Sequence, residues 1–254
     1  MTDFNLLKEE DLFEEPFLSE YKEEMQFFYS ELVHLNVQLF IIEKIMRFRF
    51  DLFVNPNQTI FFSNVLSSFF ESSILRIARI ITDTDGDFRT ITKFKNRIFQ
   101  SIKDVYKGEF RNRIKENRFD KNTEELLVKI RARRNQRIAH TIINVSEEDL
   151  HKSTIYLKDL FSLRDQLNSI LSTLSFGTTR MMLPIQYDEH VQHPKGTDSR
   201  TDIERILDSL AFDSFILSLP EKNPVLWDAR KRSLKEHDIK EINFYRSKLG
   251  LKNV

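Results

Sequence analysis

The stretch Thr59-Ile60-Phe61-Phe62-Ser63-Asn64-Val65-Leu66-Ser67-Ser68-Phe69-Phe70-Glu71-Ser72-Ser73-Ile74-Leu75-Arg76-Ile77-Ala78-Arg79-Ile80-Ile81 decides the fold class. Phe62, Val65, Leu66, Phe69, Phe70, Ile74, Ile77 and Ile81 recur at three- and four-residue spacing, which is the period of a helix and not of a strand. The helix is apolar on most sides. Such a helix belongs at the centre of a bundle or in an oligomer interface. Glu71, Arg76 and Arg79 interrupt this most apolar region of the chain, and no segment reads as a membrane span.

Working outward, Asn55-Pro56-Asn57 makes a break, and before it a long helix is expected from Ser19 to about Phe53. Its apolar positions include Phe27, Phe28, Leu32, Leu35, Leu39, Ile42 and Met46. On the other side, Thr82-Asp83-Thr84-Asp85-Gly86-Asp87 reads as a loop. A third helix carries Ile91, Phe94, Ile98, Ile102 and Val105 and fades near Gly108. Asn122 three residues before Glu125 resembles a helix start, and the fourth helix then holds Leu126, Leu127, Ile130 and Ile138. Ser146 and Asp149 open a fifth helix in the same way, with a stripe of Leu150, Leu157, Leu160, Leu163, Leu167, Leu171 and Leu174. From Thr178 to Thr201 the pattern stops, with Pro184, Pro194 and Gly196 in a polar stretch. Shorter helices follow over Asp202 to Leu217, around Trp227, and from His237 to Leu249. The expectation is therefore an all-α protein. It has an acidic arm over 1–18, a helical bundle over 19–177, a linker over 178–201 and a smaller helical extension over 202–254.

The 254 residues suffice to bury a sizeable core, and there is no cysteine. That removes disulfides, thiolate metal sites and a cysteine nucleophile, and it suits a reducing cytoplasm. Met1 to Phe17 is acidic and lacks a basic start followed by an apolar run, which argues against a secretory signal. The formal net charge of zero hides an asymmetry. Met1 to Met25 has nine acids against Lys8 and Lys22, net −7, whereas Gly86 to His140 has 16 Lys plus Arg against seven acids, net +9. A basic middle is compatible with a polyanion partner, and equally with solvated helix faces.

That basic middle ends in Arg131-Ala132-Arg133-Arg134-Asn135-Gln136-Arg137-Ile138-Ala139-His140, with four arginines, one histidine and no acid. A histidine moves protons near neutral pH, and arginines hold phosphate. These are the two requirements of metal-free RNA cleavage. On an ideal helix Leu127, Ile130, Arg134 and Ile138 share one face, which makes Arg134 semi-buried. Arg134 and His140 lie about 120° apart on that helix, whereas Arg137 and Arg133 share the histidine's side better. Which arginine holds the phosphate is therefore open between them.

Arg134-Asn135-Gln136-Arg137-Ile138-Ala139-His140 resembles the motif of the HEPN superfamily: an Arg, usually followed by a polar residue, then a His after four to six intervening residues. Here five intervene. Ser73 to Asp83 resembles the second-helix sequence of abortive-infection HEPN proteins, and Ile91 to Ile98 resembles the helix that follows it. The likeness covers roughly Tyr21 to Phe176. It implies a bundle of four or five helices, often dimerised so that two copies of the motif face one cleft. It also implies RNA cleavage without a metal, leaving a 2′,3′-cyclic phosphate and a 5′-OH. By that resemblance Arg134 and His140 are catalytic, and Asn135, Arg137, Arg133 and Arg131 contact RNA. Some relatives carry a modifiable Tyr two positions after the His, where this chain has Ile142.

His190-Val191-Gln192-His193 has a metal-like spacing but sits in a polar stretch with few candidate ligands nearby. Asp83, Asp85 and Asp87 around Gly86 lack the later Glu of a calcium loop and read as a turn. Neither a metal nor a cofactor is expected. The 23 phenylalanines recur mostly at helical spacing and are core. The leading expectation is thus a HEPN-type endoribonuclease serving phage defence or acting as a toxin, cytoplasmic and homodimeric, with RNA as substrate and an antitoxin or defence protein as partner. The alternatives are a non-catalytic HEPN-fold scaffold that grips nucleic acid or an acidic protein, and a purely structural dimer module.

Overall fold

A computed structural model describes residues 4, 7–54, 59–82, 89–135, 153–182 and 201–254. Every regular element among them is helical. The chain divides into two compact units, 1–40 with 68–189 and 41–67 with 190–254. Two long helices change unit along their length: α2 (Phe17–Arg47) at residue 41 and α4 (Ile60–Ile81) at residue 68. The 41–67 stretch, assigned to the bundle on sequence, thus groups with the C-terminal helices.

In the first unit a short α1 (Glu9–Leu12) precedes α2. After α4 come α5 (Ile91–Ser101), α6 (Asp104–Asn117), α7 (Phe119–Arg133) and α8 (Leu157–Leu174), closed by a 3-10 turn over Gly177–Met182. The expected third helix is two. Thr90 caps α5, its hydroxyl accepting the Lys93 N–H at 3.3 Å. The helix ends at Ile102, whose extended backbone turns the chain, and Gly108 lies inside α6 without stopping it. A left-handed Arg118 (φ 55°) separates α6 from α7, so α7 starts three residues before Asn122. The core takes Phe28, Leu32 and Leu35 from α2, Ile74 and Ile77 from α4, Phe94 and Ile98 from α5, and Leu163, Leu167 and Leu171 from α8. Each removes about 1.5–3 kcal/mol worth of apolar side chain from water.

The acidic N-terminal segment is part of this core. Leu7, Leu12 and Phe13 are buried, and so is Glu9. The Glu9 carboxylate accepts the Thr178 hydroxyl at 2.8 Å and the Thr179 N–H at 2.9 Å. Burial pushes its pKa up, but these bonds and backbone N–H groups nearby outweigh burial and hold it below the ordinary value. Tyr21 donates to the Leu174 carbonyl at 3.0 Å and accepts the Phe176 N–H at 3.0 Å, supplying partners to the end of α8.

The second unit combines the tail of α2, α3 (Phe50–Phe53) and the start of α4 with α9 (Asp202–Phe212), α10 (Phe215–Lys222), α11 (Pro224–Lys231) and α12 (Glu236–Lys248). Asp202 to Leu217, expected as one helix, breaks between Phe212 and Phe215. Thr201 and Glu204 form a capping box at the start of α9. Trp227 sits in a core with Phe53, Leu217, Ile242 and Tyr245. Arg246 is fully buried, paired with Glu221 and bonded to the carbonyls of Leu217 and Lys252.

Candidate nucleic-acid interface

α7 delivers the arginine run. Its Ile130 is fully buried, Leu127 is half-buried, and the helix packs mainly on α8. Arg131 and Arg133 lie in its last turn. α7 ends at Arg133, and the chain passes through Arg134 and Asn135 in a wider, π-type turn. The Arg134 N–H donates to the carbonyls of Ile130 and Arg131. Arg134 is half-buried, as its place on the Leu127–Ile130 face requires, and its Nε donates to Asn135 Oδ1 at 3.1 Å. Asn135 and Arg131 are exposed. Arg137 and His140 lie outside the described residues, as do His190, His193, Asp83, Asp85 and Asp87.

Part of the basic middle is committed to the fold. Arg97 pairs with Glu20 and Glu24, Arg89 with Glu23, and Lys95 with Asp120 at 2.7 Å. Arg89 and Arg97 thus tie the basic middle to three acids of the front, while Lys95 pairs within the middle itself. Arg113 donates to the Ser172 carbonyl at 3.0 Å and lies over the Phe176 ring, and burial lowers its pKa to about 10. Arg131 makes no such commitment: it forms no ion pair with any described residue. It stands at one end of a groove of about 450 Å³ lined also by Ile81, Thr92, Glu124, Leu127 and Val128. Sequence reading missed this groove. The signal for it was the spacing Glu124, Leu127 and Val128, Arg131, which puts an acid, an apolar step and a base on one helical face. Among the described residues no group of His, Asp and Glu is arranged to hold a metal. No described helix is long and apolar enough to cross a membrane.

Residues 20–193 match the family model described as AbiU2, a HEPN family. The chain belongs to the AbiU2 family of abortive-infection HEPN proteins. The match covers more than half of the chain and contains the whole span from Arg131 to His140. The α9–α12 helices lie beyond it, so the AbiU2 HEPN region is followed by helical structure of its own. No curated protein matches the chain, and no solved structure does.

Proposed function

We propose that this AbiU2-family protein is a metal-independent endoribonuclease of HEPN type that acts in phage defence or as a toxin. The observation that carries the proposal is the family match over residues 20–193, which encloses an Arg and a His at HEPN spacing. In this reading the ribose 2′-oxygen attacks its own phosphorus and the bond to the 5′-oxygen breaks. The 2′-OH loses a proton and the leaving 5′-oxygen gains one. His140 serves as the general acid or base, since an unperturbed imidazole titrates near ~6.5. Arg134 binds the phosphate and stabilises its developing charge, with Asn135 holding the guanidinium. Arg131, Arg133 and Arg137 hold flanking phosphates.

A homodimer completes this reading, because two motifs facing one cleft supply both an acid and a base. It is supported by α4, which leaves Ile60 at 65%, Phe61 at 66% and Leu75 at 40% exposure in the single chain.

The test is cleavage of RNA in EDTA. Wild-type protein cuts under chelation, and His140→Ala slows cleavage by about 10²–10⁴-fold while RNA affinity holds. Arg134→Ala weakens both, and a larger loss with Arg137→Ala moves the phosphate ligand to that residue. Cleavage that needs magnesium overturns the mechanism. A protein that binds RNA and never cuts it is the scaffold instead.

A further inference from the structure

The groove beside Arg131 has the chemistry of a nucleotide pocket. Glu124 and Arg131 are seven residues apart on α7, two turns of one helical face, and about 10 Å along the axis. That is the reach of one nucleotide from its phosphate to the far edge of its base. Between them Val128 is 59% exposed and Leu127 half-buried, and buried Ile81 and Phe119 supply the apolar floor. Its volume of about 450 Å³ lies within the usual ~300–1,000 Å³ of small-ligand sites. Two acids and Lys121 line the far end, and the acids differ. Asp120 is held by Lys95 at 2.7 Å, whereas Glu124 is exposed and forms no ion pair with any described residue.

We infer that this groove binds one unstacked base of single-stranded RNA, with guanine preferred, while Arg131 holds that nucleotide's phosphate. A carboxylate only accepts hydrogen bonds, so it repels phosphate and selects a base edge rich in donors. Guanine presents two adjacent N–H groups on its pairing edge, which match the two oxygens of Glu124. Adenine and cytosine present one amino group, and uracil a single ring N–H. That edge is free only in single strands, where unstacked bases lie against apolar or aromatic side chains. The inference rests on the proposed RNA site through Arg131, and it names that site's substrate class.

The test reads binding and not cleavage, so it stands apart from catalysis. The probes are fluorescent 2′-O-methyl oligouridines, which lack the attacking hydroxyl, carrying one central guanine, adenine or no purine. Wild-type protein is expected to favour the guanine probe over plain oligouridine by about tenfold, the discrimination of one good bidentate contact. Glu124→Gln removes that preference and leaves oligouridine affinity unchanged or higher. Val128→Arg fills the groove, abolishes the preference and keeps phosphate affinity. Both residues are exposed, so both variants fold, which matching circular dichroism verifies. Equal binding of the three probes by the wild type, or a preference that survives Glu124→Gln, overturns the groove assignment. Cleavage without preference then leaves the nuclease reading standing. Preference without cleavage of unmodified RNA removes the nuclease and keeps the groove. Failure to bind any probe overturns the groove assignment and leaves the nuclease reading to the cleavage assay.

Discussion

Gly177→Ala is expected to destabilise the first unit by about 3 kcal/mol through a clash with one residue, Glu9. Gly177 has φ of +47°, in the left-handed region, where a Cβ costs about 1–2 kcal/mol. That Cβ would stand 2.7 Å from Glu9 Cδ and closer still to one carboxylate oxygen. Glu9 cannot simply swing aside. Its side chain is buried and fixed by Thr178 at 2.8 Å and by the Thr179 N–H at 2.9 Å. Moving it strands hydrogen-bonding groups at a further ~1–3 kcal/mol. The assay is a double-mutant cycle in urea, followed by circular dichroism. In a Glu9→Ala background the carboxylate is gone and only the left-handed strain and a 3.2 Å approach to the backbone N of residue 9 remain, so Gly177→Ala should cost about 1 kcal/mol. The coupling is then about 2 kcal/mol. If Gly177→Ala costs the same in both backgrounds to within ~0.5 kcal/mol, the clash reasoning is wrong and backbone strain alone sets the cost.

In the second unit, Arg246→Met should cost about 1–3 kcal/mol, because it strands the Leu217 and Lys252 carbonyls, while the half-exposed Glu221 is left to solvent. Trp227 is the only tryptophan and packs in the same core, so its fluorescence should report an earlier urea transition; an unchanged midpoint refutes this. Light scattering at micromolar concentration should give the mass of two chains, and Phe61→Glu should lower it to one. A monomeric wild type counts against the paired cleft.

Helical class was legible because a period of three to four residues is written directly in the apolar positions. Junctions were less so. The turn at Ile102 and Lys103 interrupts a pattern that reads through it, because Ile98 and Ile102 keep helical spacing while the backbone leaves the helix. Gly108 misled in the opposite sense. Glycine weakens a helix by only about 1 kcal/mol, which packing of Phe110 offsets. The acidic arm is the instructive case. It was expected as an arm outside the bundle, but Leu12 and Phe13 are buried in the core, and the buried Glu9 is satisfied by Thr178 and Thr179.

Ion pairing limits how far charge alone shows the site. A block net charge of +9 counts Arg89, Arg97 and Lys95 equally with Arg131, although the first three are held by acids and Arg131 pairs with none of the described acids. Charge totals therefore overstate the surface a polyanion meets, whereas the family match over residues 20–193 rests on sequence pattern and not on charge. Spacing on an ideal helix placed Arg134 half-buried on the Leu127–Ile130 face, as the structure has it, because the chain up to Arg133 is helical. The step from Arg134 to His140 lies outside the described residues. Wider turns like the one at Arg134 and Asn135 favour functional positions, because a helix that widens re-aims its side chains without losing its backbone bonds. Comparing Arg134→Ala with Arg137→Ala in the cleavage assay is the measurement that decides between them: an ideal helix favours Arg137 beside His140, and a larger loss with Arg134→Ala refutes that projection.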